Sequence, residues 1–310
     1  MPVKHRWLIV WLACMASASV AFCDEPAAGQ KKYLIIHADD AGMSHSVNRA
    51  TIEAMERGIV SSASILVPPA WFGEFADYAR KHQEKDYGIH LTLTSEWEFY
   101  RWGPVAPREQ VPSLVDREGY LWDNVALVMQ HVKTKEAELE LRAQINRARQ
   151  FGVPLSHLDT HMGALFSRPD LVEVYVKLGL EFDLLVLFIR EISPPVAREY
   201  PALASRGQAM IERLKSRRFP LLDNIGQFYD GDSHEERHKS YINFLRDLPA
   251  GVSELIIHCG YDDKELRAIT DSASRRDGDR RIFTDPATIA LVKDLGIEVI
   301  SWKQFREMQR

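Results

Sequence analysis

The segment YLIIHADDAG, residues 33–42, predicts a buried β-strand over Tyr33–His37, followed by two adjacent carboxylates, Asp39 and Asp40, and a turn. Adjacent carboxylates at a bending strand end can take different roles, since one can bind a cation while the other accepts a proton. An aspartate pair that only caps the next helix is the structural alternative. The segment therefore predicts a strand that ends at a polar edge.

Apolar runs alternate with helical patterns from this segment to the end of the chain, which is typical of an α/β fold. The predicted strands are Tyr33–His37, Ala63–Val67, Gly88–Leu93, Ser156–Thr160, Leu184–Ile189, Pro220–Asn224, Ser253–His258 and Glu298–Ser301. This number of strands fits a closed or nearly closed barrel better than a six-stranded open sheet. No repeat, low-complexity tract or Gly/Ser linker divides residues 30–310, so we expect one domain.

The segments between the strands have recognisable helix ends and one long excursion. Ser46 is expected to cap a helix that ends at Gly58, and residues 135–151 place apolar side chains on one stripe. Residues 95–124 resemble neither a helix nor a simple loop. Two interpretations of this segment stay open: its aromatic side chains line a wall over the barrel mouth, or they only pin down the excursion. These side chains are Trp97, Tyr100, Trp102, Tyr120 and Trp122.

The N-terminus predicts export. A basic start is followed by an apolar stretch from Trp7 and small residues before Asp24, so residues 1–23 are predicted to be a secretory signal peptide, 24–31 a linker and 32–310 the barrel domain. A membrane anchor and a lipoprotein signal with lipid on Cys14 or Cys23 are the alternatives, but the apolar part is shorter than the roughly 20 residues that span a bilayer. We expect a periplasmic or extracellular protein with no stable membrane span in the mature chain.

Composition limits the class of partner. The 310 residues have a net charge of −5 and 45% hydrophobic residues, which allow a full core and argue against nucleic acid as a partner. Only Cys259 of three cysteines follows the leader, so a disulfide framework within one mature subunit is excluded. The basic and acidic residues interleaved in residues 275–281 predict a solvated face.

Histidines occupy two further predicted strands. In GIHLTLT, residues 88–94, alternation places His90 on the polar face, which would look into a barrel. In HLDTH, the spacing of two places His157, Asp159 and His161 on one face, with His161 nearest the strand end. A metal site needs imidazoles with supporting carboxylates in such a cluster, so we expect His161 to bind directly and Asp159 or His157 to orient ligands. A polar network inside the barrel is the alternative.

A fourth contributor, His258, ends the strand SELIIH before a glycine turn. Histidine titrates near neutral pH and can protonate a leaving group. The neighbouring Cys259 is interpreted as a packing residue rather than a nucleophile or soft metal ligand. Arg190 could contact substrate or an active-site carboxylate, or pair structurally. Because active sites of such barrels gather at the C-terminal strand ends, these side chains are expected to share one mouth.

Taken together, the segments resemble the YdjC/ChbG-like carbohydrate deacetylases. The family pattern of an ADD-F-G turn, a G-hydrophobic-H-L-x-L-T strand, a T-H-L-D-S-H segment and a late H-P-G corresponds here to ADDAG, residues 38–42, GIHLTLT, residues 88–94, SHLDTH, residues 156–161, and HCG, residues 258–260. The stretch GIVSSASILV, residues 58–67, is similar to the family's G-I-V-T-S-T-S strand. The similarity extends from about residue 32 to 310.

The resemblance implies a distorted TIM-like (β/α) barrel of seven or eight strands that removes acetyl groups from N-acetylated sugars with a divalent metal, zinc or magnesium. By motif, Asp40, His90 and His161 resemble the metal ligands, Asp39 the general base and His258 an acid. The chain departs from the family pattern at Ala41, Met162, Gly163, Ala164 and Cys259. The expected partner is an acetylated amino-sugar oligosaccharide or glycan, and the oligomeric state, a homodimer included, stays open.

Two other functions remain as alternatives. One is a metal hydrolase for an ester or phosphoester, and the other is a secreted carbohydrate-binding protein on a vestigial barrel. Presence of both Asp39 and His258 argues against the binding protein, because a binder needs neither a base nor an acid. Glycoside hydrolysis is disfavoured, because its two carboxylates must flank the scissile bond, about 5 to 9 Å apart.

Overall fold

A computed structural model describes residues 31–229, 231 and 233–308. The predicted signal peptide and all of the linker but Lys31 lie outside the described residues. The strands are β1 (Lys32–Ala41), β2 (Ser62–Ile65), β3 (Tyr87–Leu91), β4 (Leu155–Thr160), β5 (Leu185–Val186), β6 (Asn224–Gln227), β7 (Gly251–Ile257) and β8 (Ile297–Val299). The helices are α1 (His45–Arg57), α2 (Phe72–Lys81), α3 (Val125–His131), α4 (Thr134–Gln150), α5 (Pro169–Phe182), α6 (Pro194–Glu199), α7 (Pro201–Ser216), α8 (His234–Arg246), α9 (Lys264–Ile269), α10 (Ala273–Thr284), α11 (Pro286–Asp294) and α12 (Trp302–Glu307).

The strands form one parallel, curled sheet in the order β5-β4-β3-β2-β1-β7-β6. A parallel bridge between Ile189 and Leu222 joins the segment after β5 to the segment before β6 and so connects the two edges of the sheet. The short β8 pairs with Lys32–Leu34 at the start of β1. The predicted α/β architecture, a single-domain distorted barrel, is confirmed.

Each predicted strand has a counterpart, but the sixth was predicted to begin four residues too early. The ladder between β6 and β7 begins at Asn224, not at Pro220. The apolar Leu222 instead pairs across the gap with Ile189, and its backbone N–H donates to the carbonyl of Phe188 at 3.0 Å. The apolar run therefore belongs to the barrel closure rather than to the β6 ladder.

Burial explains why these segments become strands and helices. Leu34, Ile35 and Ile36 of β1 are all fully buried, as expected for a parallel strand covered by helices on one side and barrel contents on the other. The stripe of α4 buries Leu141 and Ile145 as predicted. Among the described residues, no helix combines the length and apolarity that crossing a bilayer requires.

The start of α1 differs from the prediction. Ser44, not Ser46, is the N-cap, and its hydroxyl accepts the backbone N–H of Val47 at 3.2 Å. The chain turns immediately after β1, since the N–H of Met43 donates to the carbonyl of Asp40 at 3.0 Å, so the helix begins two residues earlier. Ser46 lies inside the first turn and donates its hydroxyl to Asp263 instead.

The Gly88→Ala variant is expected to lower the free energy of unfolding by about 1–3 kcal/mol, the usual cost of overpacking a core. A Cβ atom at Gly88 would lie 2.3 Å from Nε2 of His157. That ring cannot move aside, because it stacks on Trp302 with ring centroids 5.1 Å apart. Denaturant unfolding measures the effect. Gly73→Ala in α2 is the control, since its Cβ would meet nothing closer than 3.9 Å, and equal losses in both variants would contradict the prediction.

Candidate metal centre

The C-terminal end of β1 brings two neighbouring carboxylates to the same mouth. Consecutive residues of a regular strand face opposite sides, yet the ladder between β1 and β2 shifts register between Ala38 and Ala41. Asp40 adopts a left-handed backbone conformation with φ of 68°. This local break allows both Asp39 and Asp40 to reach the buried cluster described below.

Three side-chain atoms from three strand ends meet in this mouth. Nε2 of His90 lies 3.1 Å from Nδ1 of His161, and Oδ1 of Asp40 lies 3.4 Å and 3.3 Å from these two nitrogens. Ligand atoms at about 2.1 Å from a metal are about 3.0 Å apart at a right angle and about 3.4 Å apart at a tetrahedral angle. The observed triangle therefore has the size of one face of a metal coordination shell.

The outer partners of both imidazoles fix where their protons lie. Nδ1 of His90 donates to Oδ1 of Asp159 at 2.7 Å, and Nε2 of His161 donates to Oε1 of Glu96 at 3.0 Å. A carboxylate only accepts, so in the neutral ring the opposite nitrogen is left with a lone pair. Both lone pairs then face Oδ1 of Asp40, which is the carboxylate–histidine–metal arrangement.

The two oxygens of the Asp40 carboxylate have different surroundings. Its Oδ2 accepts a hydrogen bond from Nη2 of Arg276 at 2.7 Å. Its Oδ1 is buried and forms no hydrogen bond with any described residue. A buried acceptor without a donor is costly, and a cation between Asp40 and the two imidazoles would satisfy it. The residues present therefore fit a divalent metal ion.

The electrostatics of the cluster favour a cation. Burial alone would raise the pKa of Asp40, but the Arg276 guanidinium holds it well below its usual range. Burial opposes protonation of His161, yet Glu96 and Asp40 raise the pKa of that imidazole to about 9. Burial also acts against protonation of His90, whose pKa is nonetheless raised well above its usual value by Asp159 and Asp39. The carboxylates thus favour positive charge at this position, which protons on the two rings supply until a divalent metal ion displaces them and leaves both rings neutral.

Two other groups of side chains in the described part of the chain lie close enough to hold a metal: His37 with His157 and Asp159, and Asp39 with His90 and Asp159. In both, a hydrogen bond to Asp159 already engages one imidazole nitrogen. Nε2 of His37 lies 3.0 Å from Oδ2 of Asp159, and Nδ1 of His90 lies 2.7 Å from Oδ1 of the same carboxylate. In the set of Asp40, His90 and His161, by contrast, the ring nitrogens that converge on Oδ1 of Asp40 are the ones opposite those bonded to Asp159 and Glu96.

Asp39 lies beside this triangle but is held differently. Its Oδ1 is 3.2 Å from Nε2 of His37 and accepts the hydroxyl of Ser64 at 3.3 Å. Its Oδ2 is 3.8 Å from Nε2 of His90. Burial raises the pKa of Asp39 above that of an ordinary aspartate, although His90 acts in the opposite direction. A buried carboxylate with a raised pKa next to a cation site is suited to accept a proton.

His258 follows β7 and approaches Asp39 from the other side of the mouth. Its Nε2 lies 4.0 Å from Oδ2 of Asp39, and its ring centroid lies 5.7 Å from that of Tyr229. Burial lowers the pKa of His258 well below the ordinary value, and Arg276 and Arg275 add to this effect. The resting imidazole is therefore neutral at pH 7.

The structure brings together Asp39, Asp40, His90, His161 and His258, as well as Asp159, which bonds His90 and His37. His157 lies deeper, where its Nδ1 is 2.7 Å from the hydroxyl of Ser156 and 3.4 Å from Asp86. Arg190 pairs with Asp223 at 2.9 Å and has no contact with the cluster among the described residues. Arg190 therefore matches the alternative in which it forms a structural ion pair.

The interpretation of residues 275–281 as a solvated face was wrong for two of its members. Arg276 and Asp279 are 6% and 1% exposed. Arg276 bonds Asp40, and Asp279 accepts the backbone N–H of His258 at 3.0 Å. A spacing of three residues places both on the same face of a helix, but the same spacing relates Asp277 and Arg280, so the sequence does not single out the buried pair.

Sequence reasoning also missed His37, Glu96 and Glu254. His37 stands two residues before Asp39 on the inward face of β1, so strand alternation could have indicated it. Glu254 lies 3.7 Å from Nδ1 of His37 and accepts Nε1 of Trp302 at 3.0 Å. Burial raises the pKa of Glu254 to about 8. Glu96 follows β3 in an irregular segment, and no periodic pattern points to it.

The aromatic side chains of the excursion divide between the two interpretations. Trp102 is buried and donates its Nε1 to the carbonyl of Thr94 at 2.9 Å, which pins the segment. Trp122 likewise donates to the carbonyl of Ser113 and stacks on His131. Trp97, half-buried, has its ring centroid 6.4 Å from that of His161. At least this one aromatic ring therefore stands at the mouth.

Replacement of Glu96 by Gln is expected to weaken metal binding about 10–100-fold, the usual cost of losing an outer partner of a ligating histidine. The neutral amide removes the charge that holds Nε2–H of His161 and therefore its ring orientation. Competition between the protein and a fluorescent chelator measures the affinity. Glu98→Gln, an exposed neighbour, is the matched control. Equal affinities in the two variants would contradict the assigned role of Glu96.

The chain is similar to known proteins along most of its length. The model of the family described as YdjC-like protein matches residues 33–294. A carbohydrate deacetylase of Thermus thermophilus is 31% identical over 90% of this chain and 96% of its own length. One of Thermoanaerobacter pseudethanolicus is 26% identical over 86% of this chain and 96% of its own length. The crystal structure of a proposed cellobiose-phosphate cleavage protein from Enterococcus faecalis has a TM-score of 0.73 and 27% identity over 88% of this chain and 98% of that one.

Proposed function

The chain belongs to the YdjC-like protein family, and from this membership we propose that it is a metal-dependent carbohydrate deacetylase that removes acetyl groups from N-acetylated sugars. Its curated relatives bear the name carbohydrate deacetylase. The observation that supports the proposal most is the convergence of Nε2 of His90 and Nδ1 of His161 on Oδ1 of Asp40, with Asp39 held next to them.

Asp40, His90 and His161 would hold the metal. When bound, a divalent ion there polarises a carbonyl and lowers the pKa of a neighbouring water. Two imidazoles and one carboxylate are a donor set typical of zinc, whereas magnesium prefers oxygen ligands and retains several waters. We therefore favour zinc over magnesium.

Asp39 serves as the general base in this proposal. Deacetylation adds water to the acetyl carbonyl, breaks the C–N bond and yields acetate and an amine. One proton must leave the water and one must reach the nitrogen. Asp39 can take the first proton, because burial has raised its pKa toward the working pH while His37 and Ser64 fix its Oδ1.

His258 serves as the acid that completes the reaction. Its Nε2 is within 4.0 Å of the carboxylate oxygen of Asp39 that is not bonded to Ser64. This separation exceeds a direct hydrogen bond, so the neutral imidazole can receive the proton that Asp39 has taken through one intervening water. Because its pKa is lowered by burial, the resulting imidazolium readily gives that proton to the departing amine.

Cys259 has no chemical role in this mechanism. The thiol is fully buried, and burial raises its pKa above the usual value. A nucleophilic or metal-ligating cysteine needs the thiolate. It is therefore proposed to be a packing residue beside His258.

The substrate is proposed to be a glycan outside the cytoplasm. The leader-like sequence of residues 1–23 supports export, and the half-buried Trp97 near His161 offers an aromatic face at the mouth. Residues next to the ligands differ from the family pattern at Ala41, Met162 and Gly163, so the preferred sugar is expected to differ from that of proteins that keep the family pattern.

A substrate panel tests the proposal. The mature chain, loaded with zinc, is assayed for acetate release from N-acetylated oligosaccharides, and for hydrolysis of acetate esters and phosphoesters. Acetate release from an N-acetylated sugar, with no comparable turnover of phosphoesters, is the expected result. Hydrolysis of phosphoesters alone would replace the proposal with another metal hydrolase. Sugar binding without any turnover would indicate a carbohydrate-binding protein.

A further inference from the structure

Helix α10 approaches the mouth from outside the barrel with two buried charged residues one turn apart. Its sequence, ASRRDGDRRIFT, would suggest a solvent-facing helix, yet Arg276 and Asp279 are almost completely buried. Burying charged groups costs free energy unless they are paired and hydrogen-bonded. The hydrogen-bond partners of both side chains offset this cost.

Asp279 fixes the position of α10 relative to the end of β7. One of its carboxylate oxygens accepts the backbone N–H of His258 at 3.0 Å, and the other accepts Nε of Arg237 at 3.0 Å. The backbone N–H of Gly260 donates in turn to the carbonyl of Arg276 at 3.2 Å. The helix is therefore fixed to the strand end that presents His258.

Arg276 projects from this fixed helix to the metal centre. Its Nε donates to the hydroxyl of Ser272 at 3.0 Å, which orients the guanidinium, and its Nη2 donates to Oδ2 of Asp40 at 2.7 Å. With Oδ2 engaged, the carboxylate cannot rotate without breaking a charge-assisted hydrogen bond. Oδ1 of Asp40 therefore faces Nε2 of His90 and Nδ1 of His161.

We propose that Arg276 is a positioning residue for the metal centre, which holds Asp40 so that Oδ1 faces the two imidazoles. Buried ion pairs are weak evidence for a contribution to stability, since apolar replacements are often neutral, whereas fixing one geometry is a recognised use of them. Metal affinity should therefore depend on Arg276 more than folding does. The inference rests on the proposed metal-dependent function only in its choice of Asp40 as a ligand.

Metal titration of three variants tests the inference. Zinc affinity is measured by chelator competition, and the cobalt-substituted proteins are compared by their visible absorption, which reports the geometry of the ligands. Arg276→Met is expected to bind zinc about 10–100-fold more weakly with an altered cobalt spectrum. Arg276→Lys, which keeps the charge but not the planar fork, is expected to recover part of the affinity.

Arg280→Met is the matched control. Arg280 lies on the same helix and is also paired, with Glu53 at 2.9 Å and with Asp277 at 2.8 Å, but neither partner belongs to the metal centre. It should bind zinc as the wild type does. Wild-type affinity in folded Arg276→Met, or in Arg276→Lys if the methionine variant does not fold, would overturn the inference, as would an equal loss in Arg280→Met. Zinc titration needs no substrate. A wild type that binds zinc but releases no acetate would therefore refute the proposed deacetylase activity, while the titration would still decide the role of Arg276.

Discussion

Asp39→Asn is expected to lower the rate of acetate release by about 10²–10⁴-fold, the usual contribution of a positioned general base, while metal content and fold are unchanged. The amide has nearly the same shape as the carboxylate and cannot accept the proton from water. Asp39 contacts His37 and Ser64 through Oδ1, and it lies outside the triangle of atoms that would bind the metal. The variant therefore separates chemistry from metal binding.

The measurement is acetate release by the zinc-loaded variant, with metal content determined on the same sample. Asp294→Asn, at the exposed end of α11, is the control for the loss of one negative charge and should keep wild-type activity. Activity within a few-fold of the wild type in Asp39→Asn would rule out Asp39 as the base. Loss of bound metal together with activity would instead place Asp39 among the ligands.

His90→Ala is expected to abolish both stoichiometric metal binding and acetate release. The substitution removes one of three converging donors, the Nε2 that lies 3.1 Å from Nδ1 of His161. Wild-type protein at a metal concentration of 100 Kd should gain about 2.7 kcal/mol of stability from the metal. The variant should gain almost none, so its melting temperature should not respond to added zinc.

Metal content by elemental analysis and melting temperature with and without zinc measure this effect. His45→Ala provides the matched control, because His45 is a half-exposed histidine paired with Glu74 and is not among the candidate metal-binding residues. It should retain one metal per chain. Stoichiometric metal in folded His90→Ala would remove His90 from the ligand set.

The location of the candidate site could be predicted because it depends on strand ends. Asp39, Asp40, His90 and His161 each end or follow an apolar run, and parallel strands of a barrel bring such ends together whatever the exact register. The spacing of two residues between His157, Asp159 and His161 also predicted that their side chains share the inward face. The depth of each residue was not predictable in the same way, since His157 lies against Gly88 and Trp302 below the mouth.

What could not be predicted depends on contacts between distant segments. Burial of Arg276 and Asp279 follows from how α10 packs on the barrel, and local charge patterning favours the opposite conclusion. Glu96 reaches His161 from an irregular segment whose path is fixed by tertiary hydrogen bonds, such as those from the N–H groups of Val105 and Ala106 to Glu140. Neither periodicity nor spacing contains that information.

Anomalous diffraction from crystals of the zinc-loaded protein tests the central claim most directly, because it locates the metal without reference to activity. We expect one strong peak per chain, within bonding distance of Oδ1 of Asp40, Nε2 of His90 and Nδ1 of His161. Zinc bound instead among His37, His157 and Asp159, the deeper of the candidate sets, or no zinc at the Asp40 triad, would contradict it.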